Sequence, residues 1–299
     1  MRINDPTLNH IFAEGSRSSM QIFSRRRFLE GSASGVAALS LGVSSLCAQD
    51  WARKAVDQSP RRREWVSVKN GGRSVESAVV YPESKAKAPA MVVIHEIFGM
   101  TDWVEKVTDE FAEAGYIAIA PDLLSGMAPN GGRTKDFPAS GGGMFGPVGE
   151  AIQKLPPNQV TADLNAVADY CKSLSACNGK VCVVGFSWGG SQAFRFATNR
   201  KDLSAAFPFY GAGPEAASIA SIQAPVYGFY AGTDTRVNGT IPQTQEQMKA
   251  AGKFYEVVTY DGAAHGFMRS GEQPNASEAD KKARDAAWVK LKALEAKYK

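Results

Sequence analysis

Histidine and cysteine are scarce in this chain: three His and four Cys stand among 299 residues. No C-x-x-C pair occurs and no Cys/His cluster has zinc-site spacing, so neither a zinc centre nor thioredoxin-like redox chemistry is expected. Long apolar runs are missing as well. The longest, Gly35 to Leu46, is too short and too rich in small residues to span a bilayer, which takes about 20 apolar residues. No internal repeat and no basic stripe with interleaved aromatics is visible. The net charge of +4 therefore does not point to a nucleic-acid partner. Part of it lies in residues 1–48, where arginines outnumber acids. The cluster Arg61-Arg62-Arg63 reads as a solvated edge beside the first strand.

What remains is ordinary for a globular enzyme, with 44% hydrophobic and 21% charged residues. The length fits one α/β domain of about 250 residues behind an N-terminal extension. Residues 1–48 read as that extension plus a signal peptide. Ser24-Arg25-Arg26-Arg27-Phe28-Leu29 is a twin-arginine pattern, and Gly35 to Leu46 fits the apolar region that follows one. Cleavage near Cys47 or Ala48 would deliver the folded protein to the periplasm, with no stable membrane insertion afterwards. Met20 is an alternative start. Residues 49–63 read as a linker. In an oxidising compartment a Cys171–Cys177 bridge stays open as a reading, whereas Cys182 looks like a small core residue.

From residue 64 onward short β-branched runs alternate with amphipathic ones. Glu64 to Lys69 and Ser74 to Tyr81 flank Asn70-Gly71-Gly72 and predict a hairpin. Strands follow at 90–95, 116–120, 180–185, 204–209, 225–230 and 254–259. Helices fall at 102–114, 161–173, 189–199, 241–251 and 277–297. This alternation predicts a mostly parallel central sheet with helices on both faces, and reactive groups at the carboxyl ends of its strands. Between Asp122 and Gln159 the periodicity disappears into a Gly-rich loop, including Ser140-Gly141-Gly142-Gly143. A loop of that length suggests a cap over the site.

The sequence Gly185-Phe186-Ser187-Trp188-Gly189-Gly190 joins a buried strand to a helix. That is the setting of a nucleophile elbow, where glycines allow a sharp turn. A serine hydroxyl needs a base, and the base needs an orienting acid. His265 follows the 254–259 strand, and Asp234 follows the 225–230 strand in Gly232-Thr233-Asp234-Thr235. Ser187, Asp234 and His265 thus run in the Ser…Asp…His order of α/β-hydrolases, each beyond a strand end. His95 precedes the serine, the wrong order for the base. Backbone N–H groups of Trp188 and Ile97 are placed to form an oxyanion hole.

The ordered motifs HEIFG (95–99), APDL (120–123), GFSWGG (185–190), GTDT (232–235) and AHGF (264–267) resemble the dienelactone hydrolase family. The resemblance covers roughly residues 64–298. It implies a single-domain α/β-hydrolase fold, a Ser187–Asp234–His265 triad, an oxyanion hole at Ile97 and Trp188, and no cofactor. It also implies that Glu96 is the family's active-site glutamate, contacting the resting nucleophile, and that Arg269 binds a substrate carboxylate. The chain departs from the type enzymes in carrying serine where they carry cysteine. It has no clear second arginine either, Arg133 being a weak match. The expected activity is hydrolysis of a small carboxylic ester or lactone by an exported serine hydrolase. A thioesterase or other acyl-transfer enzyme of the same fold is the near alternative, and a non-catalytic exported binding protein the distant one.

Overall fold

The computed structural model describes residues 49–138 and 146–298, so the signal-peptide expectation and Ser140–Gly143 lie outside the described residues. Its strands are β1 (Arg63–Asn70), β2 (Arg73–Val80), β3 (Ala88–Ile94), β4 (Ile117–Pro121), β5 (Cys177–Phe186), β6 (Ala205–Phe209), β7 (Val226–Ala231) and β8 (Tyr255–Tyr260). They form one eight-stranded sheet in the order β1-β2-β4-β3-β5-β6-β7-β8. The hairpin joins β4 antiparallel, and every later pairing is parallel. All of β3 is buried. Its side chains alternate between the two faces: Val92 and Ile94 enter one apolar cluster, Met91 and Val93 the other. A continuous apolar run is what a strand covered on both faces requires.

Helices α3 (Pro147–Gln153), α4 (Pro157–Ser173), α5 (Trp188–Asn199) and α8 (Ile241–Ala250) contribute to the first cluster. The second is closed by α1 (Asp50–Gln58), α2 (Asp102–Glu113) and α10 (Glu278–Glu295). Three one-turn helices, α6 (Ala216–Ile219), α7 (Thr235–Asn238) and α9 (Phe267–Ser270), lie in loops. Among the described residues no helix is long and apolar enough to cross a membrane.

Two expectations change. Residues 49–63 are no bare linker, because they hold α1, which docks on α2. Ala52 and Val56 are buried there, and Arg53 bonds both Asp102 and Glu105. The Gln49 Oε1 accepts the Trp103 N–H at 2.6 Å, so a residue ahead of α1 caps α2. Arg61 and Arg63 are also not a solvated edge. Both turn to the buried Asp109, which also accepts the Ser59 hydroxyl. Only Arg62 stays exposed, over the Tyr81 ring.

Residues 122–138 and 146–159 are also more ordered than a lost periodicity suggests. Asp122 accepts both the N–H and the hydroxyl of Thr134, folding the loop back onto the end of β4. The Thr134 side chain in turn lies against Gly99, and its Oγ1 accepts the Met100 N–H. Farther on, α4 begins at Pro157, because proline fits the first turn of a helix, where its missing N–H has no partner to lose. Cys171, Cys177 and Cys182 are buried free thiols, and burial pushes Cys171 and Cys182 well above the ordinary thiol range.

Candidate active site

The turn between β5 and α5 is tight because three glycines let backbone meet backbone. A Cβ on Gly185 would collide with the Gly189 carbonyl, one on Gly189 with the carbonyls of Ile94 and His95, and one on Gly190 with that of Phe209. The same approaches set the end of β3 against the start of α5. Ser187 itself sits at φ 56°, ψ −114°, a conformation an L-residue rarely adopts. Its amide is tied to the Phe209 carbonyl at 3.0 Å. Strain of this kind persists only where the surroundings over-determine it, and it concentrates at functional turns.

Ser187, Asp234 and His265, predicted from three separate motifs, form one hydrogen-bonded chain. Ser187 Oγ lies 2.7 Å from His265 Nε2, and His265 Nδ1 lies 2.5 Å from Asp234 Oδ2. Asp234 divides its carboxylate, since Oδ1 accepts the Val237 N–H and so caps α7. That local bond fixes the acid's rotamer and leaves one oxygen for the imidazole. With Asp234 accepting at Nδ1, the histidine presents Nε2 as the acceptor for the serine proton. This arrangement can move a proton from Ser187 to His265 and hold the resulting imidazolium.

Trp188 is the first residue of α5, so its amide has no acceptor within the helix. Ile97 lies in the turn after β3 that Gly99 closes with a bond from its N–H to the Glu96 carbonyl. Both amides belong to segments that the Gly189 approach brings together. Glu96 and Arg269, 173 positions apart, meet beside them, with Arg269 Nε donating to Glu96 Oε2 at 2.6 Å. The two side chains are only 3% and 11% exposed. Glu96 is therefore held by an arginine, while the Ser187 hydroxyl is engaged by His265. Glu272 pairs with Lys106 and Arg284, leaving Arg269 to Glu96. Arg133 instead stacks on the Trp65 ring at 3.4 Å.

Two further residues pack against the site. Tyr210, at φ 38° and 1% exposed, meets the His265 ring edge-on at 5.1 Å. Nothing in the sequence beyond its place at the end of a strand marks it. His95 is fully buried and stacks on the Trp188 ring at 5.5 Å. Its Nδ1–H donates to the Glu96 carbonyl at 2.8 Å, and Nε2 accepts the Leu123 N–H at 3.4 Å, which defines a neutral tautomer. Burial pushes its pKa below the ordinary imidazole value, against the opposing pull of Asp122 and Glu96. Below about pH 6.5 the unfolded chain takes up a proton that the native state refuses. Stability should then fall with pH, by up to about 1.4 kcal/mol per unit from this group. Urea midpoints at pH 7 and 5.5 test this. The pH dependence should be shallower in His95→Asn, and an equal slope would acquit His95.

Comparison with known proteins bears on the family and the fold. The family model described as the dienelactone hydrolase family matches residues 75–298. A relative from Yersinia pestis, named "Putative carboxymethylenebutenolidase", is 30% identical over 190 residues, covering 60% of this chain and 68% of its own. Among solved structures, a "Putative Dienelactone Hydrolase" from Klebsiella pneumoniae superposes with a TM-score of 0.69 at 24% identity, over 80% of this chain and 100% of its own. A dienelactone hydrolase-like promiscuous phosphotriesterase from metagenomic libraries gives 0.67 at 20%, over 80% and 99%. The two structures carry the fold, and the family match spans three-quarters of the sequence together with the strand ends that hold Ser187, Asp234 and His265. This chain belongs to the dienelactone hydrolase family.

Proposed function

We propose that the protein is an exported serine hydrolase that cleaves carboxylic ester or lactone bonds through Ser187, His265 and Asp234. The observation that carries this reading is the continuous Ser187–His265–Asp234 hydrogen-bond chain at a strained turn. In the first half-reaction His265 Nε2 takes the hydroxyl proton as Oγ attacks the carbonyl carbon. The amides of Ile97 and Trp188 hold the oxyanion, which stabilises charge only as it develops. Collapse breaks the C–O bond, and His265 returns the proton to the departing alkoxide. Water then repeats the sequence on the acyl-enzyme, with His265 as base, and releases the acid. In a lactone the alcohol and the acid leave as one molecule.

Arg269 is the natural partner for a carboxylate on the substrate, and Glu96 is its partner within the protein. A substrate carboxylate would take over a charge-assisted bond that Glu96 now holds. Turnover of matched anionic and neutral esters and lactones tests both the reaction class and this preference. Activity on the panel is expected. Arg269→Ala should lower kcat/KM for the anionic members by about 10- to 100-fold, the value of a hydrogen bond to a charged group. Neutral members should stay within about threefold on the same scale. Equal losses on both would remove Arg269 from substrate recognition; inactivity across the panel would overturn the ester reading. The twin-arginine pattern and the apolar run behind it support export. Sequencing the N-terminus of protein recovered from the periplasm tests that part.

A further inference from the structure

One carboxylate from outside the His265 loop pins that loop at both ends. Asp280 is the third residue of α10, whose N-cap is Ser277, and Ser277 Oγ accepts the Asp280 N–H at 3.1 Å. An acid at this position ordinarily closes a capping box by accepting the N-cap residue's own N–H. Here it turns away from its helix instead. Oδ1 accepts the Ala264 N–H at 2.8 Å, and Oδ2 accepts the Ser270 hydroxyl at 2.7 Å. One bond fixes the residue before His265, and the other fixes the residue after Arg269. Asp280 is 7% exposed, so both bonds are shielded from water.

Between those anchors Phe267 and Met268 are seated in the core, but the backbone around them has little regular structure. It contains Gly266 in the left-handed region and the four-residue α9, too short to persist by itself. The His265 side chain is 35% exposed. The long α10 is seated in the same core through Ala283, Ala287 and Leu291. Its N-terminal turn also favours a negative side chain.

We propose that Asp280 is a positioning residue for the hydrolytic reaction, holding His265 against Ser187 and Arg269 against Glu96 from the fixed end of α10. The inference rests on the acyl-transfer reading given above. Reacting groups tolerate little displacement, and an error of about 1 Å costs about 100-fold in rate. A carboxylate bonded on either side of the loop removes that freedom.

The test compares wild type, Asp280→Ala, Asp280→Asn and Ser270→Ala, with kcat and KM measured on a neutral ester and concentrations set by native-state fluorescence. Asp280→Ala should lower kcat by about 10- to 100-fold with KM within about threefold. Fluorophosphonate labelling of Ser187 should slow in proportion. Asp280→Asn keeps an acceptor for the Ala264 amide and should recover most of the loss. Ser270→Ala leaves α10 and its cap intact and should cost less than Asp280→Ala, again in kcat. This variant keeps the test alive if Asp280→Ala does not fold. A lowered melting temperature with unchanged kcat per folded molecule, no rescue by asparagine, or wild-type kcat in Ser270→Ala would overturn the assignment. Wild-type protein that resists fluorophosphonate would overturn the acyl-transfer reading itself, a different result from any of these.

Discussion

Ser187→Ala should lower kcat on a responsive ester by about a millionfold, the scale seen when a serine nucleophile is removed. Catalysis of about 10³-fold over the uncatalysed reaction should survive, because the amides of Ile97 and Trp188 remain. KM should change little, since the hydroxyl adds little to ground-state binding. Covalent labelling by a fluorophosphonate should vanish, and a labelled alanine variant would place the nucleophile elsewhere. Stability gives a second reading of the same position. At φ 56° serine and alanine are strained alike, so melting temperatures should be close. Ser187→Gly should be more stable than both by about 1 kcal/mol, since glycine adopts this region freely. A protein that keeps a strained serine where glycine fits better holds stability back for reactivity.

Among the described glycines, Gly185→Ala should be the most damaging methyl addition. The new Cβ would overlap the carbonyl of Gly189, and neither atom belongs to a flexible side chain that can swing away. Relief requires moving the start of α5 off the strand. That start is trapped in turn between the carbonyls of Ile94 and His95 and that of Phe209. A loss of about 3–5 kcal/mol is expected, in the far tail of single substitutions. The folded remnant should be inactive, because the Trp188 amide moves with the helix. Denaturant midpoints and ester turnover check both parts; wild-type stability would mean that the turn is looser than it stands here.

Most of the sheet was legible in the sequence because its strands are short β-branched runs between turn residues, and burial on both faces demands such runs. The order Ser, Asp, His was legible for a related reason. Each residue stands just beyond a strand, so chain order translates into position along one sheet edge. Helix α1 was not legible. Its buried face amounts to Ala52 and Val56, with Trp51 beside them, and its other residues are mainly charged. The start of α3 and α4 was hidden by prolines that read as breakers but occupy first turns. The Glu96–Arg269 pair and the Tyr210 contact arise from packing between distant segments. No spacing rule reaches across 173 positions.

The docking of α1 on α2 redraws where the catalytic body begins. Asp109, with its side chain 8% exposed, draws its partners Ser59, Arg61 and Arg63 from the stretch before or at the first strand. A chain starting at residue 64 would lose all three partners together with the buried contacts of Ala52 and Val56. It would also strip the Gln49 cap from α2. Residues 49–63 therefore belong to the folded body. Any processing that trims into residues 49–63 removes structure rather than a tether.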